Sequence, residues 1–402
     1  MDSSRRDELK ARACAAIDAR AEELVALSQR IHAHPEVAYH EEQASGWLCE
    51  LLGGAGFSVE RGYAGLATAF RAAFRASAGA GRPVVGILAE YDALPGIGHG
   101  CGHNIIATAG AGAGIGVRAV IDDAGGTVHV IGTPAEEVYG GKVEMARAGA
   151  FADLDAAMMV HPGGRDGVIA RALACAEVKI EYFGREAHAA AVPEQGINAL
   201  EAMILAYNGI NALRQHIRRT ARVHGIIKHG GDAPNIVPAY TSASFMVRAE
   251  DDEYLEELKT RVTACFQAGA QATGSRLEMT WNPNQYAAMS TNPPLAEAFR
   301  LNFAVVGREV PSPETPRPMG STDMGNVSKI VPGIHPTIAI APADVPGHSP
   351  GFAEYACSDA GDRAVVEAAK ALAMTALDVL TDEALRREMR EAFERSRAER
   401  PV

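Results

Sequence analysis

The sequence predicts an α/β fold: a mixed-sheet main domain interrupted by a smaller inserted sandwich. Three observations support this. Helical and apolar extended runs alternate up to about residue 172. From 173 to 285 the pattern changes to βαββαβ, the order of a ferredoxin-like split sandwich. Candidate functional residues lie on both sides of that stretch, so the chain must return to the site it left. The expected organisation is therefore 1–172 as the first part of the main domain, 173–285 as an insertion, and 286–402 as the second part. A length of 402 residues agrees, because it exceeds what one hydrophobic core usually serves.

The elements follow in chain order. Ala21 to His34 reads as an amphipathic helix ended by Pro35, and Glu41 to Leu52 as a second, closed by Gly53-Gly54. Residues 84–89 form a continuous apolar run suited to a buried parallel strand. Asn104 to Ile121 is rich in Ala and Gly and invites confusion with a nucleotide-binding loop. Its glycines do not give G-x-G-x-x-G and no strand leads directly into them, so it reads as a small-residue helix packed closely on the sheet. Asn104 is placed to cap that helix. The insertion is expected to hold strands at 174–183, 222–229, 240–249 and 276–282, with helices at 195–219 and 252–273. Helices at 294–305 and 357–380 flank a strand at 336–341, and 382–400 reads as a charged helix.

Composition narrows the function classes. Hydrophobic residues make up 47% and charged residues 22%, which are globular values. A net charge of −12 argues against nucleic acid and anionic membrane as partners and requires local cations for any anionic substrate. The first residues show no signal-peptide core, and no run of about 18 apolar residues spans a membrane. Six scattered cysteines then point to a reduced cytoplasm.

The chemistry-bearing residues sit where short apolar runs give way to loops. Cys101 and His103 are separated by one glycine in His99-Gly-Cys-Gly-His-Asn104, Glu136-Glu137 follows the run 127–133, His161-Pro162 follows 156–160, and His348 lies near the end. Singly each has an ordinary explanation: a lone Cys is usually a small buried hydrophobe, and adjacent glutamates are usually a solvated loop. Together, at strand ends of one sheet, they form a donor set suited to zinc or a similar first-row metal in a site open to water. His32, His34, His129, His224 and His229 lack such support and are expected to be structural or superficial.

Glu90-Tyr-Asp-Ala-Leu-Pro95, Cys101-Gly-His-Asn104, Gly132-Thr-Pro-Ala-Glu-Glu137, His161-Pro162 and His348-Ser-Pro350 resemble the M20 family of metallo-amidohydrolases. The branch indicated contains aminobenzoyl-glutamate hydrolases and M20 domain-containing protein 2 dipeptidases. The likeness runs from about Ala21 to Leu380. One departure from the better-known dipeptidases is Glu90, which stands where they carry a histidine. The resemblance implies a metallo-exopeptidase-like catalytic domain, with the insertion as a lid and dimerisation domain, and a homodimer or larger assembly. It implies Cys101 as a ligand bridging two metals, with His103, Glu137, His161 and His348 completing the set, and Asp92 behind them orienting an imidazole or the loop. One or two divalent ions per chain are expected, manganese or zinc first, cobalt or nickel as further candidates.

The same resemblance makes Glu136 the general base and His188 an oxyanion stabiliser reaching a partner's site. Asn235 becomes a second polar contact. Apart from the resemblance, Arg248 stands at the end of an expected strand, where its guanidinium suits a substrate carboxylate. Gly320-Ser-Thr-Asp-Met324 resembles a loop beside the substrate pocket, with no role assigned. Glu136 and Glu137 are adjacent, so an extended backbone would turn them apart, one to ligate and one to stand over the water. The reaction expected is hydrolysis of a small amide: an N-acyl amino acid, an aminobenzoyl-glutamate-like compound or a dipeptide. Two alternatives are a hydrolytic deaminase of a small amine and a non-catalytic binding protein on the same scaffold.

Overall fold

The structure is a computed structural model describing all residues except 79, 80, 313, 315, 316, 319 and 399–402, with only the backbone of 317 and 318. The chain divides into two compact units, Met1–Arg171 with Met289–Val402, and Ala172–Ala288.

The first unit is built on a six-stranded mixed sheet. Its strands lie in the order Ser58–Arg61, Phe70–Arg75, Thr127–Gly132, Val84–Ala89, Ala156–Met158, Gly333–Ile334. The first two pairings are antiparallel and the remaining three parallel. Both central strands, Val84–Ala89 and Thr127–Gly132, are buried along their whole length, as apolar runs in a covered parallel sheet must be. The register places Ala89 beside Gly132 and Ile87 beside Met158. Segments 90–92, 133–137, 159–161 and 335 therefore leave the sheet at the same edge, the carboxyl ends of parallel strands.

The small-residue segment is a helix, His103–Arg118, whose first fifteen residues are all buried. A Cβ on Gly114 would penetrate the Val130 side chain, and one on Gly110 would lie 3.1 Å from the Leu88 carbonyl oxygen. The glycines thus let the helix lie directly on the sheet, with Asp359–Thr381 packed on it in turn. Asn104 is not the cap: Gly102 occupies that position at φ 78°, and the Asn104 amide donates instead to Ser28 Oγ and the Ala356 carbonyl. The predicted helix also ends earlier, with a separate turn at Ile121–Ala124. The charged helix is described over Glu383–Ala398, so residues 399 and 400 of the expected span lie outside the described residues. Its Arg386 donates to the Val379 and Leu380 carbonyls, which satisfies the C-terminus of the helix before it.

The second unit is a four-stranded antiparallel sheet in the order Arg276–Trp281, Ala174–Phe183, Tyr240–Ala249, Arg222–His229. Helices Ala199–Leu213 and Asp252–Thr273 pack against its two central strands. With those helices the connection is βαββαβ, the split sandwich. Along Ala174–Phe183, Ala176, Val178, Ile180 and Tyr182 are buried while Glu177, Lys179 and Glu181 are not, the period of two of a sheet covered on one face. The first helix is shorter than the predicted 195–219. Asn198 caps it by accepting from Leu200 N and Glu201 N, and a 3₁₀ turn, Arg214–His216, closes it.

Candidate metal centre

The site is built where the four parallel strands end. His103 is the first residue of its helix and is fully buried. Gly102 places it there: a Cβ at Gly102 would meet Pro162 at 2.9 Å, so only glycine lets the helix start against the His161-Pro162 segment. His103 Nδ1 lies 3.0 Å from Asp92 Oδ1, which turns Nε2 toward Glu90 and Glu137. The other Asp92 oxygen accepts from the Glu137 backbone N–H at 2.9 Å. One carboxylate thus orients both the imidazole and the loop, where the sequence reading left a choice.

His161 opens a short strand, His161–Gly163, paired in parallel with Thr337–Ala339. Its Nδ1 is held by the Pro162 carbonyl oxygen at 2.7 Å, so Nε2 points inward, 3.3 Å from Cys101 Sγ. His348 takes a left-handed φ of 59° and donates its backbone N–H to the Gly100 carbonyl, which anchors the far segment beside the Cys101 loop. Its Nε2 lies 3.5 Å from Glu137 Oε2, and its side chain is 58% exposed, which makes it the wall facing solvent.

The structure brings the expected donors together in three overlapping groups: Cys101, His103 and His161; Cys101, Glu137 and His348; His103, Glu136 and Glu137. Within each group the ligand atoms lie within 4.8 Å of one another. The two glutamates do not diverge from an extended backbone as expected. Ala135 adopts a left-handed φ of 62°, residues 136–139 form a turn, and both carboxylates face His103. Among the described residues, none of His32, His34, His129, His224 and His229 joins these groups.

The residues present fit a divalent cation. The donor set combines thiol, imidazole and carboxylate, and among the described residues the buried His103 Nε2 and Glu137 Oε1 have no hydrogen-bond partner. The electrostatics agree. Burial, and next the Glu137 carboxylate, pushes the Glu136 carboxyl well above its usual range. Burial, and next Glu137, does the same to the Cys101 thiol. Burial, then His335, holds the His161 imidazole down to about 3. The crowding of Glu137 against Glu136 and Cys101 is relieved by a cation, and an imidazole held neutral keeps a lone pair for one.

The sequence reading missed a second buried cluster beside the first. Lys142 is fully buried, with Nζ 2.7 Å from Asp323 Oδ1 and 2.5 Å from Glu90 Oε1. Glu90 Oε2 lies 3.5 Å from His103 Nε2. Burial would raise the Glu90 carboxyl, but Lys142 and then His103 bring it to about 2. Asp323 belongs to the loop 320–324, so that loop acts here as an anchor for Lys142. His335, also buried, stacks on His161 at 5.3 Å. The departure at Glu90 from the better-known dipeptidases was the available sequence signal.

The sequence pattern of peptidase family M20/M25/M40 matches residues 86–378. The chain belongs to that family. It is 41% identical over 398 residues to a Mus musculus protein described as Xaa-Arg dipeptidase, covering 96% of this chain and 92% of that one. It is 35% identical over 284 residues to one of the chains of the p-aminobenzoyl-glutamate hydrolase of Escherichia coli, covering 65% of this chain and 58% of that one. The fold is shared with a Bacillus subtilis crystal structure described as a dinuclear metal binding peptidase from M20 family, at TM-score 0.67 and 20% identity, covering 90% of this chain and 99% of that one. The protein is thus an M20-type amidohydrolase or peptidase acting on carbon–nitrogen bonds, with a mixed-sheet α/β catalytic fold.

In the second unit the candidate residues are less enclosed. His188 is exposed, and its Nδ1 accepts from the backbone N–H groups of Ala190 and Ala191. Asn235 is exposed, and its backbone carbonyl accepts from Ala189 N, which fixes the two segments side by side. Arg248 is half-buried on Tyr240–Ala249, with Nη2 3.5 Å from Met246 Sδ. Among the described residues no helix is long and apolar enough to cross a membrane.

Proposed function

We propose that this M20 enzyme hydrolyses the amide bond of a small dipeptide or N-acyl amino acid, with dipeptides ending in arginine as the first candidates. The observation that carries the chemistry is the convergence of Cys101, His103, Glu137, His161 and His348 on one pocket with Glu136 beside them. The substrate class rests on 41% identity, over nearly the whole chain, to a protein described as an Xaa-Arg dipeptidase. Aminobenzoyl-glutamate-like amides come second, from the shorter match.

Cys101, His103, Glu137, His161 and His348 are the residues that would hold one or two divalent ions. A divalent ion held there would supply Lewis-acid polarisation of the scissile carbonyl and a lowered pKa for the attacking water. Glu136 takes the proton of that water and returns it to the leaving amine. Asp92 keeps the His103 tautomer fixed through Nδ1. His188 stabilises the developing oxyanion of a partner's site within a homodimer formed through the 173–285 segment. Asn235 adds a polar contact, and Arg248 meets the substrate carboxylate. Two ions agree with the description of the Bacillus subtilis relative. Manganese or zinc suits the mixed donor set. We assign the protein to a reducing cytoplasm, where its six unbridged cysteines stay free.

The test is a panel assay on protein loaded with manganese or zinc. The panel holds dipeptides ending in arginine, leucine or glutamate, p-aminobenzoyl-glutamate and simple N-acyl amino acids. Release of free arginine at the highest kcat/KM supports the reading. Ammonia release with no carboxylic acid product would replace it with hydrolytic deamination. Full activity after exhaustive chelation, with no metal left by elemental analysis, would remove the metal from the mechanism.

A further inference from the structure

We infer that Glu41 is a positioning residue for the catalytic loop: its carboxylate holds Ala135 in the left-handed turn that aims Glu136 and Glu137. The inference rests on the reading of Glu136 as general base and Glu137 as ligand. Ala135 is fully buried and sits at φ 62°, a region that a residue with a side chain occupies only when its surroundings hold it there. Its backbone N–H donates to Glu41 Oε1 at 2.9 Å. Its carbonyl oxygen accepts from Gly140 N at 2.8 Å and closes the turn that carries both glutamates. The residue is therefore gripped from outside through its N–H and from within the loop through its oxygen.

Glu41 is built for that grip. It is fully buried, yet it belongs neither to the donor groups nor to the Lys142 cluster. Its second oxygen accepts from Thr68 Oγ1 at 3.0 Å, and the Thr68 carbonyl accepts from the Tyr91 hydroxyl at 2.6 Å. The carboxylate cannot swing away from Ala135 without breaking that chain. The segment leading to Glu41 reaches the same region twice more. The Glu36 carbonyl accepts from Ala93 N at 2.8 Å, next to Asp92. Tyr39, itself at φ 64°, stacks on Tyr139 at 5.5 Å and donates to Glu144 Oε1 at 2.8 Å. Residues 36–41 thus strap together the loops that follow two adjacent strands. Burial of a carboxylate is costly, and here it satisfies one strained N–H directly ahead of the proposed base.

The test compares Glu41→Ala, Glu41→Gln and Glu41→Ala with Ala135→Gly in the full-length protein. Two readouts are used: kcat and KM on an accepted substrate, and Mn²⁺ titrated calorimetrically into chelator-treated protein. Glu41→Ala should lower kcat at least tenfold with KM changed less than threefold, and weaken Mn²⁺ binding severalfold. Glu41→Gln keeps an acceptor oxygen for Ala135 and should restore most of both. Ala135→Gly in the Glu41→Ala background should recover part of the loss, because glycine occupies the left-handed region unaided. Wild-type kcat and Mn²⁺ affinity in a folded Glu41→Ala protein would overturn the inference, as would a Glu41→Gln protein as impaired as Glu41→Ala. If Glu41→Ala does not fold, Glu41→Asp keeps the charge but withdraws the oxygens by one methylene, and must show the same losses. Glu136→Gln is measured alongside. If it keeps full turnover, the base assignment fails, while the Mn²⁺ titration still reads the hold on the Glu137 turn.

Discussion

The two units bury different things. In Met1–Arg171 with Met289–Val402, the carboxylates of Glu41, Glu90, Asp92, Glu136 and Asp323 and the ammonium of Lys142 are nearly or wholly removed from solvent. In Ala172–Ala288, among the described residues, the buried polar side chains are Thr241, Ser242 and Ser275, all neutral. Its core is aliphatic and aromatic, centred on Val178, Ile180, Phe245 and Phe266. Burying a charge costs several kcal/mol unless it is paired or meets a cation. A fold retains so many ionisable groups in one place only where their environment answers that cost, and such places are where chemistry is carried out. The second unit is the opposite case: a core that needs nothing beyond itself, with His188 and Asn235 out in solvent.

The sharpest break of this contrast is at Glu136. Glu136→Gln keeps the shape and removes the proton acceptor, so kcat should fall by about 10²–10⁴, the usual worth of general acid–base assistance. Metal content by elemental analysis should stay near normal. Loss of metal with high residual turnover would reverse the roles of Glu136 and Glu137.

Next comes Lys142. Lys142→Met removes the cation between Glu90 and Asp323, and a buried pair broken on one side typically costs about 3–5 kcal/mol. The urea midpoint of the first unit should fall accordingly, and adding Glu90→Gln and Asp323→Asn should recover part of it. Phe266→Ala in the second unit should cost about as much, by cavity formation, yet leave Mn²⁺ affinity unchanged. Equal loss of metal binding in both variants would erase the distinction between the two cores.

What the sequence could and could not reveal follows from the same physics. Cys101, His103, the pair Glu136-Glu137, His161 and His348 were legible as candidate donors from residue type and from their place near the ends of apolar runs, while the choice of Glu137 over Glu136 as ligand came only from the family resemblance. The second unit's strands were legible because a sheet covered on one face writes its period of two into the chain. The Lys142–Asp323 pair joins residues 181 apart, and nothing local marks either one. Asn104 looked like a cap by type, but the cap position went to Gly102, which takes a φ of 78° and lacks the Cβ that would meet Pro162. The left-handed turn at Ala135 was hidden for a related reason: alanine carries no sign of positive φ, and the carboxylate holding it lies 94 residues earlier.

The smallest expected effect on folding is at His188, and there it separates the two units most clearly. The side chain is exposed, and its ring accepts from the backbone of its own turn, at Ala190 and Ala191. Surface substitutions of this kind usually change stability by less than about 0.5 kcal/mol. His188→Ala should therefore leave the urea midpoint in place while lowering kcat strongly, if the imidazole serves a partner's site. The dimer proposal makes a further demand. His188→Ala and Glu136→Gln chains, each nearly inactive alone, should recover part of the activity when mixed under conditions that let protomers exchange. A mixed dimer then holds one site with both residues intact. No recovery in a demonstrated mixed dimer would return His188 to its own protomer's site or remove it from the mechanism. A fully active monomer at assay concentration would dispose of the crossing imidazole altogether, and the apolar unit would then be a separate fold with no part in the partner's chemistry.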